Sequence, residues 1–140
     1  MRAKSWIAAA LAVLPALAAC FSERDDATGP APDYVSCSSG APAPPAGVRV
    51  VRIRNFAFEP AQLVVEVGTR VYWINCEADN PVNAHTTTSD TGVWDSPLLA
   101  PDSRGVFDFQ FNNAGTFPYH CTPHPQMEAT VTVAFAAVSS

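Results

Sequence analysis

From Val48 onward the chain is written in short runs of alternating apolar and polar residues. VRVVRIRNF sets Val51 and Ile53 against Val50, Arg52 and Arg54, the period-two pattern of a half-exposed strand. FEPAQ reads as a bend, LVVEV as a strand, and Gly68-Thr69 as a tight turn into the strand RVYWIN. Farther on, GVFDFQF sets Phe107, Phe109 and Phe111 against Val106, Asp108 and Gln110. Asn112 to Gly115 is a turn, and TFPYH and ATVTVAF are the closing strands. No stretch shows a helical period with caps. Six or more short strands punctuated by Gly, Pro and Asn predict an all-β sandwich or closed barrel. Trp73 and the Phe107/Phe109/Phe111 series then belong to its core.

The first 47 residues follow other patterns. MRAKSWIAAALAVLPALAAC has two early positive charges, then an apolar run from Trp6 to Ala19 interrupted by Pro15. These are the n-region and h-region of a secretory signal, and the run falls short of the ~20 residues that span a bilayer. Its end, Leu17-Ala18-Ala19-Cys20, resembles the lipobox of bacterial lipoproteins. That resemblance implies cleavage before Cys20 and acylation of its sulfur. Residues 21–47 hold five of the 13 prolines with Ser, Ala, Gly and acidic residues, the composition of an extended linker. At ~3.1 Å per residue such a linker could reach about 80 Å. The expected organisation is a signal peptide over 1–19, a lipid-anchored linker over 20–47 and one β domain over 48–140.

Composition narrows the partners. Charged residues are 15% of the chain and the formal net charge is −5. Loss of a leader carrying Arg2 and Lys4 leaves 6 cationic against 13 acidic side chains. An acidic chain of this kind is unsuited to nucleic acid, which is bound by cationic residues that displace counterions. Nothing marks an obligate interface, so a monomer is expected.

The four cysteines are Cys20, Cys37, Cys76 and Cys121. With Cys20 acylated and Cys121 set apart as a ligand, Cys37 and Cys76 remain. In an oxidising compartment they are expected to pair with each other, two thiols or an intermolecular bond being the alternatives.

Cys121 opens a second pattern. YHCTPHPQM spaces Cys121, His124 and Met127 three residues apart, with Pro123 and Pro125 between them. Besides His124 the chain has His85, in NPVNAHTTTSD, and His120, which as the strand neighbour of Cys121 points to the opposite face. Two imidazoles, a thiolate and a thioether are the donor set of a blue-copper electron-transfer site. Zinc gains little from a thioether, and no HExxH relation is present. A Cys121/His124 nucleophilic pair would leave Met127 and His85 unused and has no orienting group.

The YHCTPHPQM tail resembles the ligand loop of the cupredoxins, its Cys-x-x-His-x-x-Met spacing being most similar to the amicyanin type. NFAFEPAQLVVEVGTRVYWIN followed by His85 is similar to the first half of a plastocyanin/amicyanin-like domain, and WDSPLLAPDSRGVFDFQF to its connector and next strand. The likeness runs from about Val48 to Phe135. It implies a Greek-key β-sandwich with one type 1 copper ion held by His85, Cys121, His124 and Met127 beneath one end. It also implies a single-electron carrier between redox proteins, not an enzyme, which the lipobox-like leader would anchor at the cell envelope. Copper carriage or storage for another enzyme, and a partner-binding module with structural copper, are the competing expectations. Pro123 and Pro125 restrict φ and remove two backbone donors, which stiffens the loop. Two departures stand out. Thr86 follows the first histidine where many family members have Asn to tie the ligand loops, and Cys76 has no counterpart in the common pattern.

Overall fold

A computed structural model describes residues 30–137; the leader and Cys20 lie outside them. Eight strands make two four-stranded sheets. Strands β1 (Val48–Arg54), β2 (Ala57–Glu59), β4 (Thr69–Asn75) and β6 (Val106–Phe111) form the first, in the order β2-β1-β4-β6. Strands β3 (Gln62–Glu66), β5 (Thr88–Ser89), β7 (Gly115–Cys121) and β8 (His124–Ala134) form the second, in the order β3-β8-β7-β5. The parallel pairs β1/β4 and β3/β8 arise because consecutive strands pass from one sheet to the other. One 3-10 turn, Pro81–Asn83, is the single helical element among the described residues.

The alternation read from the sequence is the alternation of burial. Val51 and Ile53 on β1 and Val71 and Trp73 on β4 are sealed from solvent, and they face Tyr119, Val131 and Val133 of the second sheet. Apolar area removed from water in this layer is the main stabilising term. The layer also contains polar atoms, and these find each other. Trp73 Nε1 donates to Tyr119 Oη across the sheets at 3.1 Å, which satisfies two atoms that would otherwise be costly to bury. Trp94, from the connector between the sheets, stacks on Trp73 at 5.7 Å. Phe111 is buried, whereas Phe107 and Phe109 pack against the core while partly exposed.

One expectation has to be corrected. Residues 30–46 are not a free spacer but a strap folded against the outer face of the first sheet. Tyr34 sets its ring edge to Tyr72 at 6.0 Å, and Val35 is buried. Arg52 donates to the Ser36 carbonyl at 2.8 Å and Arg54 to the Cys37 carbonyl. A disulfide joins Cys37 to Cys76, just past the end of β4, with the two Cα atoms 5.4 Å apart. The outward arginines of β1, which read as an exposed strand face, are what receives the strap. Its Pro and Ser content removes any helix or strand and leaves carbonyls free for those arginines.

The connector also approaches the first sheet at Gly105. A Cβ there would lie 2.4 Å from the Ala100 nitrogen, and the Gly105 carbonyl accepts the Asn75 amide at 3.0 Å. Only hydrogen fits between two backbones so close. Replacing both Cys37 and Cys76 by Ala is expected to lower the free energy of unfolding by about 2–4 kcal/mol, measured by urea denaturation. In the same assay Gly105→Ala should cost about 1–3 kcal/mol through the displaced backbone.

Candidate metal centre

The site lies at the end of the sandwich where β4 finishes and β7 turns into β8. Asn75, the last residue of β4, is fully buried and organises the loop that follows. Its Nδ2 donates to the carbonyls of Asn83 and Leu99 at 2.7 and 2.9 Å, and its Oδ1 accepts the Glu77 amide at 3.1 Å. The chain then runs extended from His85 to Ser89 beside the connector. His85 and Leu99 exchange backbone hydrogen bonds of 3.2 and 2.7 Å, and Ser96 donates to the Thr87 carbonyl at 3.1 Å. Trp94 Nε1 donates to Thr87 Oγ1 at 3.1 Å, so the core indole fixes the residue two places after His85. His85 is thereby held at 0% exposure by its backbone, with only Nδ1 of its ring in contact with polar partners, His124 Nδ1 and Cys121 Sγ.

Cys121 closes β7 and His124 opens β8. In an unbroken strand residues three apart would point to opposite faces. Here the two stand as register partners across a tight turn, with an irregularity between His120 and Cys121. The Cys121 thiol and both imidazoles consequently converge. His85 Nδ1 and His124 Nδ1 are 3.1 Å apart, and each lies 3.6 Å from Cys121 Sγ. A triangle with those sides has its centre about 2.0 Å from every corner, the length of an imidazole–metal bond and a little short of a thiolate–metal one. The three donors therefore fit one small thiophilic ion in a trigonal plane. Met127, three residues along β8 from His124, is 2% exposed and part of the core. His120 faces away and bonds Asp90 through Nδ1 at 2.5 Å.

Several contacts around the donors escaped the sequence reading. Asn55 and Phe56 both have positive φ, 51° and 55°, a conformation Asn tolerates and Phe adopts only under constraint. The constraint is visible, because the Phe56 amide donates to Glu77 Oε1 at 2.6 Å. Its ring meets His85 and His124 edge-on, with centroids 5.3 and 5.0 Å away. The same Glu77 oxygen lies 3.7 Å from His85 Nε2, too far for a hydrogen bond, which leaves that buried nitrogen unpartnered. On the thiol side, the Thr86 amide donates to Cys121 Sγ at 3.3 Å, and Thr86 Oγ1 accepts the Thr122 amide at 2.8 Å. The only hint of Glu77 in the sequence was its place beside an unexpected cysteine.

Burial, followed by the nearby His124 ring, holds the His85 pKa below its ordinary 6.5, and the Glu77 carboxylate opposes the shift. A neutral imidazole is the ligand form, so burial keeps a lone pair available to a metal.

A family model of copper-binding proteins of the plastocyanin/azurin type matches residues 47–134. The chain belongs to that family. It is 37% identical over 123 residues to the amicyanin of Paracoccus denitrificans, a match covering 84% of this chain and 92% of that protein. Amicyanin-alpha of Methylorubrum extorquens is 37% identical over 92 residues, covering 64% and 74%. Among solved structures, the reduced Cu(I) form at pH 4 of an amicyanin variant superposes with a TM-score of 0.55 at 35% identity, over 63% of this chain and 83% of that one. The sandwich is thus a cupredoxin fold, with the convergent donors at the end of the domain where the first histidine loop meets the β7–β8 turn.

The depressed His85 pKa has a consequence for the metal-free protein. The unfolded chain binds a proton near pH 6.5 that native His85 resists, so protons bound in the unfolded state exceed those in the native state. Stability then rises with pH. This contribution is present above that range and is lost as pH falls below it. Urea midpoints of the metal-free protein should climb between about pH 5 and 8, and His85→Gln should flatten that climb.

Proposed function

We propose that His85, Cys121 and His124, with the Met127 thioether as a further soft donor, would hold one type 1 copper ion, and that the protein carries single electrons between redox partners. The observation that carries this reading is the donor triangle, already drawn to metal-bonding dimensions in a chain of a copper-binding family. Bound copper supplies the one-electron Cu(II)/Cu(I) couple.

The protein's part is to keep the donors where they are in either oxidation state. Paired backbone on both sides of His85 and the stiff Thr122–Pro125 turn oppose movement of the ligands. The Thr86 amide stabilises negative charge on Cys121 Sγ. Phe56 covers the edge of both imidazoles and limits water. Only His124 among the proposed ligands is half-exposed, between the exposed Pro123 and Pro125. Its ring edge, in weakly charged surroundings, is the proposed docking and exchange point for a partner protein.

The proposed setting is the exported side of a cell envelope. The leader and Cys20 support it, and so does the Cys37–Cys76 disulfide, a bond that persists in oxidising compartments. Acylation at Cys20 would tether a carrier of this kind to a membrane face.

Loading the copper-free domain with Cu(II) should give an intense visible thiolate-to-copper band. Reductant should bleach it, oxidant should restore it, and Cys121→Ser should abolish it. Metal retained through repeated cycles is the carrier's signature. Loss of the ion on reduction, or absence of the band, would instead favour copper delivery and defeat the electron-carrier reading.

A further inference from the structure

Thr86 joins the two ligand-bearing segments, and its hydroxyl belongs to a longer chain of hydroxyls. Thr86 Oγ1 is 3.0 Å from Thr88 Oγ1, Thr122 Oγ1 is likewise 3.0 Å from Thr88 Oγ1, and Thr88 Oγ1 is 2.8 Å from Asp95 Oδ1. A carboxylate oxygen only accepts. Thr88 therefore donates its single proton to Asp95 and accepts from both Thr86 and Thr122, which fills both of its lone pairs. With its proton committed to Thr88, Thr86 Oγ1 is oriented to accept the Thr122 amide. Every hydroxyl in the group is thus ordered from one end.

That end lies outside the ligand loops. Asp95 is on the connector, exposed, and its backbone forms an isolated antiparallel bridge with Thr88. The far end is buried, with Thr86 at 9% exposure and its amide on the Cys121 sulfur. Hydrogen bonds in such a series polarise one another, and the buried members are shielded from competing water.

We propose that Asp95 and Thr88 are positioning residues for the metal centre: through Thr86 they clamp the His85 segment to the Cys121–Thr122 turn and hold the Thr86 amide on sulfur. The effect on copper rests on the ligand reading above, but the clamp belongs to the chain itself and is measurable without metal. It gives Thr86 a tie between the loops that the hydroxyl alone would leave undirected, since a free hydroxyl rotates to whatever acceptor is nearest. Asn in its place would carry its own fixed acceptor and would not need Asp95.

The test compares the parent protein with Thr88→Val, Thr88→Ser and Asp95→Ala. In the copper-free proteins the exchange rate of the Thr122 amide hydrogen is followed by NMR. In the copper-loaded proteins the reduction potential and the rate of copper release to a chelator are measured. Thr88→Val and Asp95→Ala should speed Thr122 exchange about fivefold, the scale of one lost hydrogen bond, and should speed copper release. Thr88→Val should also lower the potential, because a weakened N–H···S contact leaves the thiolate a stronger donor to Cu(II). Thr88→Ser, which keeps the hydroxyl, should restore all three readings. Thr122 exchange in both Thr88→Val and Asp95→Ala within twofold of the parent would overturn the clamp. Faster exchange with unchanged potential and copper release would overturn its role at the metal. Should the parent protein show no thiolate-to-copper band, the copper reading fails by itself, and the exchange rates still decide whether the clamp exists.

Discussion

An imidazole sealed from solvent, with one nitrogen unpartnered and the other facing a thiol, is an unfavourable thing to bury. The cost of holding His85 there is of the order of a lost hydrogen bond or more. No partner on Nε2 compensates for it, so the compensation comes from the chain on either side. The His85–Ser89 segment supplies it by pairing with the connector, and the connector is in turn anchored by Trp94 in the aromatic core. The sandwich interior and the donor triangle are therefore one mechanical unit. Changes to the packing around Trp73, Trp94 and Tyr119 reach the site through Thr87 without touching a ligand.

The other donors are placed by different physics. Cys121 and His124 owe their convergence to a turn that breaks strand alternation, and Pro123 and Pro125 limit the conformations that turn can sample. One half of the centre is set by a long-range sheet and the other by a local stiff loop. The Thr86 hydroxyl bridges the halves by accepting the Thr122 amide. A rigid donor set of this construction needs little rearrangement when the charge at its centre changes by one.

Much of this was legible before any coordinates. The strand patterns located β1, β3, β4, β6, β7 and the Ala129–Ala134 part of β8, because one-sided burial writes itself directly into side-chain polarity. The Cys121, His124 and Met127 spacing pointed to the chemistry, since soft donors at short intervals have few other uses. The strap was misread for an equally physical reason. Its composition is that of a linker, and apart from the expected Cys37–Cys76 bond, what orders it comes from elsewhere: the guanidinium groups of Arg52 and Arg54 and the ring of Tyr72. Local propensity has no access to such partners. Glu77 and Asp95 were invisible for the same reason, each being an ordinary acidic residue until the fold sets it beside a histidine or a threonine.

The unequal burial of the proposed ligand side chains also constrains traffic. His85, Cys121 and Met127 are sealed, and His124 alone comes to the surface. A donor and an acceptor that both use that edge cannot occupy it together. Such a protein would serve its partners in turn, with ping-pong kinetics, and an excess of either partner would inhibit by occupying the only entrance.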